Sequence, residues 1–291
     1  MKIGSVAWGY TPVPEDMPHG DSLERIADKV KKLGFDFIDY LSTEESLEQF
    51  FTPQKNRQIS DYVRSLGMNV GGLVYQRPCW NSPDDADTDR QFYYFEKCLE
   101  TACSLGAGIV SCILPGPYGA KPNPRPSPSD KIADRPPAGY NWREDWGRLV
   151  SNLNRAADLG AKYGIRIALE CFARTLCSTP HAMLRLLEEA QNSNLGIQLD
   201  TAHLMAQNID IETTIYMLGA EHIFHVHAKD ADGLTRGNLA PGCGLVDYHA
   251  VFHALADVGY AGNVSVEVEF SRNPEEYMKM GLEYLRQVVG I

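Results

Sequence analysis

Eight short runs of apolar and β-branched residues recur along the chain, at 2–8, 35–41, 68–75, 107–114, 165–172, 195–200, 222–228 and 263–270, and each reads as a strand. Between them lie segments with apolar residues at three- and four-residue spacing, among them SLERIADKVKKLG, RQISDYVRSLG, RQFYYFEKCLETACSLG, WGRLVSNLNRAADLGAKYG, TPHAMLRLLEEAQ, YHAVFHALADVG and PEEYMKMGLEYLRQVV. These are helix patterns, and several end on the glycine that commonly follows a helix C-terminus. After the sixth strand only IDIETTIYMLG offers a helical period. Strands alternating with helices, with no linker between halves, predict an α/β protein of one domain, a (β/α)8 TIM barrel over residues 1–291. A doubly wound sheet is the competitor, but SVAWGYTPVPED after the first strand is not the glycine-rich phosphate loop such sheets carry.

A barrel strand points its side chains alternately inward and outward. In IRIALEC, Ile165, Ile167 and Leu169 share one side and Glu170 takes the other; in GIQLD, Ile197 and Leu199 oppose Asp200. Phe224 and Val226 are expected to oppose His225 and His227, and the valines of NVSVEVEF to oppose Glu267 and Glu269. The inward ionisable residues sit near the C-terminal strand ends, where barrel enzymes carry their chemistry. Glu170, Asp200, His227 and one of Glu267 or Glu269 would then meet in one mouth. Three carboxylates so close repel one another, and burial raises the cost. A divalent cation removes the conflict. Oxygen-rich ligation with one imidazole suits Mn²⁺ first, with Mg²⁺, Co²⁺ or Zn²⁺ as alternatives. His225 either packs deeper in the barrel or supports its neighbour, and Glu269 is either a solvated or salt-bridged carboxylate at the rim or a support behind the ligands.

Composition narrows the partners. With 44% hydrophobic and 22% charged residues the chain can bury a large core. Its formal net charge of -11 argues against a nucleic-acid partner, which needs clustered Lys and Arg, and favours a small-molecule ligand. Seven cysteines without a CxxC pair or zinc-finger spacing point to a reducing compartment. MKIGSVAWGY lacks a signal-peptide core and no segment reaches membrane-spanning length, so a cytoplasmic protein is expected.

ALE at 168–170, the D-x-x-H of LDTAH, HVHAKD at 225–230, PGCG at 241–244 and GYAGNVSVE at 259–267 occur in an order that resembles the xylose isomerase-like (AP endonuclease family 2) barrels. That family includes ketose 3-epimerases, hydroxypyruvate isomerases and inosose dehydratases. The resemblance implies a metal on Glu170, Asp200, His227 and Glu267. It also implies His203 and an arginine after the seventh strand on substrate oxygens, Arg236 being the nearest candidate. One departure stands out: where the epimerases carry a second glutamate six residues after the first, this chain has Leu176, and Arg174 is the candidate to take over substrate contact. HVHAKD is similar to the HLKD of inosose dehydratases, with Lys229 on the same inward side as His227.

The chemistry implied is proton transfer next to a carbonyl through a metal-stabilised enediolate, with Glu170 and Glu267 as general base and acid. Return of the proton on the other face gives epimerisation, return to the adjacent carbon gives aldose–ketose isomerisation, and loss of a β-hydroxyl gives dehydration. A sugar isomerase or epimerase is the first expectation and a dehydratase or lyase the second. A non-catalytic sugar-binding protein ranks below both, as does a DNA-repair endonuclease, whose metal cluster needs early-strand histidines that are missing between His19 and His181. The proline-rich loop 116–142 should lie over the mouth, as a lid or a subunit contact of a homo-oligomer or as a passive excursion. Tyr118, Tyr140 and Trp142 on it, and Trp8, Tyr40, Tyr75 and Trp80 near the early strand ends, are candidate apolar surfaces for a sugar, with core packing as the alternative for each.

Overall fold

The computed structural model describes residues 1–7, 22–76, 78–121, 135–233, 238–268 and 273–290. All eight strands form, as β1 (Lys2–Val6), β2 (Phe37–Ser42), β3 (Asn69–Tyr75), β4 (Ile109–Ile113), β5 (Arg166–Glu170), β6 (Leu195–Asp200), β7 (Ile223–Ala228) and β8 (Asn263–Val266). They pair in chain order, all parallel, and β8 closes onto β1 to complete the barrel. The last strand is shorter than its apolar pattern, although the Glu267 N–H still bonds to the Ala228 carbonyl at 3.1 Å.

The helices are α1 (Leu23–Leu33), α2 (Glu44–Gln49), α3 (Pro53–Ser65), α4 (Asp85–Leu105), α5 (Trp142–Lys162), α6 (Pro180–Ala190), α7 (Thr201–Ala206), α8 (Ile211–Leu218), α9 (Tyr248–Asp257) and α10 (Pro274–Val289). Local chemistry sets their ends. Thr52 and Thr179 accept the Lys55 and Ala182 N–H groups ahead of prolines in the first turns of α3 and α6. Helices α2 and α7, six residues each, are additions that periodicity could not reveal, because fewer than two turns show no repeating stripe. No helix among the described residues is long and apolar enough to cross a membrane. All seven cysteines are unpaired.

The strands separate two layers. Ile167, Leu169, Ile197, Leu199, Val226, Val264 and Val266 face outward and join the helices in one continuous core. Inside the barrel, Ile109, Ala168 and Phe224 form a smaller apolar cluster. Phe224 is a correction to the simple alternation, which had it facing outward with Val226. The β6–β7 register shifts, with Ile197 opposite Ile223 but Gln198 opposite His225, so Phe224 is an extra residue and turns inward. Arg166 covers its ring at 4.6 Å. Gly196 makes the room, since a Cβ there would stand 2.6 Å from the ring. A second shift, between Ile38 and Asp39, sets Asp39 opposite Gly72, and Gly71 beside it leaves space for the inward Phe37 ring.

Both described ends of the loop after β4 are anchored on Asp145 of α5, which is fully buried. The Tyr118 N–H and Tyr140 hydroxyl donate to its Oδ2 at 2.9 and 2.7 Å, while Arg148 pairs with Oδ1 at 3.1 Å. A Lys121–Arg135 bridge joins the two arms. Residues 122–134 lie outside the described set, as does the question of a lid.

Candidate metal centre

Register carries the ligand candidates together. Glu170 ends β5 opposite Gln198, Asp200 ends β6 opposite His227, and His227 pairs with Ser265, two residues before Glu267. One donor atom from each of Glu170, Asp200, His227 and Glu267 lies within 4.8 Å of the others, and all four residues are buried. Of the two glutamates on the last strand, Glu267 joins the cluster; Glu269 lies outside the described residues.

The D-x-x-H motif has a local mechanical explanation. Asp200 caps α7, its Oδ1 accepting the His203 N–H at 3.0 Å, so His203 occupies the third helical position and its ring turns back toward the cap. His203 Nε2 lies 3.6 Å from Glu170 Oε1 and 3.8 Å from Asp200 Oδ2, and the ring stacks on Phe172 at 5.0 Å. The other carboxylate oxygen of Asp200, Oδ2, has no hydrogen-bond partner among the described residues. A buried oxygen in that condition is a ligand atom in waiting.

His227 Nδ1 lies 2.6 Å from Glu267 Oε2 and 3.1 Å from Gln198 Nε2. Lys229 is fully buried, with Nζ 3.3 Å from Glu267 Oε1 and 3.9 Å from Asp200 Oδ2. Its backbone N–H donates to Thr201 Oγ1 at 3.1 Å, and that hydroxyl in turn contacts Tyr248 Oη at 2.9 Å. The lysine expected on substrate therefore packs against two of the candidate ligand carboxylates. Three carboxylates against one ammonium leave two negative charges when the imidazoles are neutral, which a divalent cation would balance.

The same charge excess appears in the proton affinities. Burial pushes the His227 imidazolium down, but Glu267, Glu170 and Asp200 outweigh it and raise the group to about 9. Burial likewise opposes a charged His203, and Asp200 with Glu170 still raises it. For Glu170 burial and the Glu267 charge push upward, yet His203 and His227 bring the carboxyl below its ordinary value. A cation among these groups would take the place of the proton. Oxygen-rich donors with one imidazole suit a hard or borderline divalent ion.

A second polar group lies inside the barrel and was not singled out from sequence. Asp39 Oδ2 accepts from His225 Nε2 at 3.0 Å and from Ser265 Oγ, all three residues being buried. His225 stands edge-on to His227, ring centroids 5.3 Å apart, without a hydrogen bond between them. The signal was present: Asp39 interrupts the apolar run FDFIDYL, and the parity test applied to that strand turns it inward.

Other candidates fall differently. Trp8 and Arg236 lie outside the described residues. Arg174 is on the loop after β5, half-buried, its carbonyl close against Gly116. Leu176 is buried and its N–H bonds to the Pro115 carbonyl at 2.9 Å, an apolar group where the epimerases carry a carboxylate. Tyr40, Tyr75 and Trp80 are core residues, Tyr40 with its hydroxyl on the Leu23 carbonyl and Trp80 packed against Phe92 and Phe95. Trp142 stacks on Trp146 at the start of α5, with Arg185 against both rings.

Among proteins of known activity, the inosose dehydratase of Geobacillus thermodenitrificans (strain NG80-2) is 30% identical over 170 residues, which cover 51% of this chain and 56% of that protein. In such matches the chain spans about half the length of the curated relatives. Its fold is similar to D-psicose 3-epimerase from Clostridium cellulolyticum H10, with a TM-score of 0.78 at 18% identity over 99% of each chain. It is also similar to the IOLI protein with a bound zinc atom, with a TM-score of 0.75 at 20% identity over 100% of this chain and 98% of that one. At these identities the likeness is one of fold. The xylose isomerase-like TIM barrel family model matches residues 27–288, and the chain belongs to that family.

Proposed function

We propose that the protein is a divalent-metal-dependent sugar isomerase or epimerase that moves a proton on a carbon next to a carbonyl. The observation that carries this reading is the convergence of Glu170, Asp200, His227 and Glu267, buried, from neighbouring strand ends, with their donor atoms within 4.8 Å. These four residues would hold the ion; Mn²⁺ is our first choice, and the zinc bound by the IOLI protein keeps Zn²⁺ among the alternatives with Mg²⁺ and Co²⁺. When bound, such an ion polarises a substrate carbonyl and its neighbouring hydroxyl and so acidifies the adjacent C–H. The chain supplies the rest. Glu170 and Glu267 reach the cluster from β5 and β8, strands three apart in the ring, so the two carboxylates approach a substrate from different directions. Glu170 takes the proton and Glu267 returns one. His203 Nε2, beside both Glu170 and Asp200, orients a substrate oxygen.

A dehydratase is the second reading, favoured by the sequence match to inosose dehydratases and by Leu176 in place of the second glutamate. It shares the proton abstraction and differs in expelling a β-hydroxyl. The test is incubation with Mn²⁺ in D₂O and a panel of ketoses, aldoses and keto-inositols. Deuterium at the carbon next to the carbonyl supports proton transfer, and ultraviolet absorbance of a conjugated enone marks elimination. Glu170→Gln and Glu267→Gln should each slow exchange by about 10²–10⁴-fold with the fold kept. A panel that exchanges nothing, or Gln variants as fast as the parent, would refute the proposal.

A further inference from the structure

We propose that Asp39 is the positioning residue for the metal ligand His227, acting on its far ring nitrogen through one buried water molecule. The inference rests on the metal reading of the site and extends it inward, to a residue outside the ligand set.

The argument starts from leftover atoms. His227 uses Nδ1 toward Glu267 and Gln198, and its Nε2 has no hydrogen-bond partner among the described residues. Asp39 spends Oδ2 on His225 and Ser265, and its Oδ1 likewise has no partner. Both residues are at most 2% exposed, so bulk water does not serve either atom. A buried polar group without a partner is costly, so two such atoms on neighbouring inward residues call for partners of their own.

One ligand atom from each of Asp39, His225 and His227 lies within 4.8 Å of the other two. No direct bond joins Asp39 to His227, and two hydrogen bonds through one water cover a separation of that order. Histidines that bind a metal through one nitrogen commonly give the other N–H to a carboxylate or a water, which fixes the tautomer and the ring plane. An Asp39–water–His227 link would supply both.

The surrounding backbone is shaped for this arrangement. The register shift on β3 sets Gly72 opposite Asp39, and a Cβ at Gly71 would lie 2.6 Å from Asp39 Oδ1. The shift on β7 precedes His225 and sends the Phe224 ring into the barrel interior. Phe37, two residues before Asp39, lies edge-on to His225 at 6.4 Å. These rings put an apolar layer beneath the polar group, so a water held there is trapped, with Ser265 and His225 fixing the carboxylate from its other side.

The experiment is a Co²⁺ titration of the metal-depleted full chain, read by visible absorbance of the bound ion. Asp39→Asn keeps the shape of the side chain and removes its charge. It should weaken Co²⁺ binding by about 10–100-fold and alter the absorbance band, with secondary structure unchanged. Phe37→Leu, a packing change in the same inward layer, should lower stability and leave Co²⁺ affinity as in the parent. Equal affinity and band in Asp39→Asn, or an equal loss in Phe37→Leu, would overturn the role of Asp39. If Asp39→Asn does not fold, a high-resolution structure of the metal-loaded parent decides, with an ordered water between Asp39 Oδ1 and His227 Nε2 expected and its absence fatal. A parent that binds no Co²⁺ removes the metal reading itself, and with it this inference; a parent that binds while Asp39→Asn matches it removes only the inference.

Discussion

At the scale of single residues, a proton and the proposed cation would compete for His227. Its imidazole is raised to about 9 by the surrounding carboxylates, so at pH 7 it carries a proton that an incoming metal must expel. Metal affinity should therefore climb as pH rises from 6, by about tenfold per pH unit, and level off above about 9, with close to one proton released per ion bound at pH 7. Calorimetric titration with Mn²⁺ in buffers of different ionisation enthalpy measures that proton directly; uptake independent of pH would contradict the assignment. Glu170, Asp200 and His227 were legible in the sequence because each ends or nearly ends an alternating strand, where local pattern gives side-chain direction; that pattern left Glu267 and Glu269 open, and the family resemblance pointed to Glu267. Asp39 was harder to read. Its partners His225 and Ser265 lie 186 and 226 positions away, and nothing local to FDFIDYL points to them.

Among elements, the two register shifts matter most. Both fall where an inward ring and an inward ionisable group must share a strand, Phe37 with Asp39 and Phe224 with His225. A glycine on the neighbouring strand pays for each. Gly196→Ala would drive a methyl to 2.6 Å from the Phe224 ring. We expect a loss of about 1–3 kcal/mol in urea unfolding, as for other overpacked interiors, with metal binding retained at low denaturant. Helix α7 shows the complementary case, where a short element defeats periodicity but a motif exposes it. The D-x-x-H spacing is a cap followed by its third helical residue, and one carboxylate both starts the helix and offers Oδ2 to the cluster.

For the whole molecule, closure of the ring gathers four strand ends into one cluster, and an ion held by all four would tie the ring together. Mn²⁺ at about a hundredfold excess over its Kd should add about 2.7 kcal/mol of stability. Melting with Mn²⁺ and with EDTA should then differ by several degrees, and coincident melts would mean that no ion bridges the strands. The amino-acid sequence by itself determined the eight strands, the helices long enough to repeat, and the inward side of Glu170, Asp200, His227 and Glu267, because alternation and helical period are properties of the local backbone. Only the tertiary structure decided that Phe224 turns inward, that Lys229 packs on the Asp200 and Glu267 carboxylates, and that Asp39 meets His225 and Ser265 inside the barrel. Those outcomes depend on strand register and on contacts between distant segments, which closing the barrel fixes.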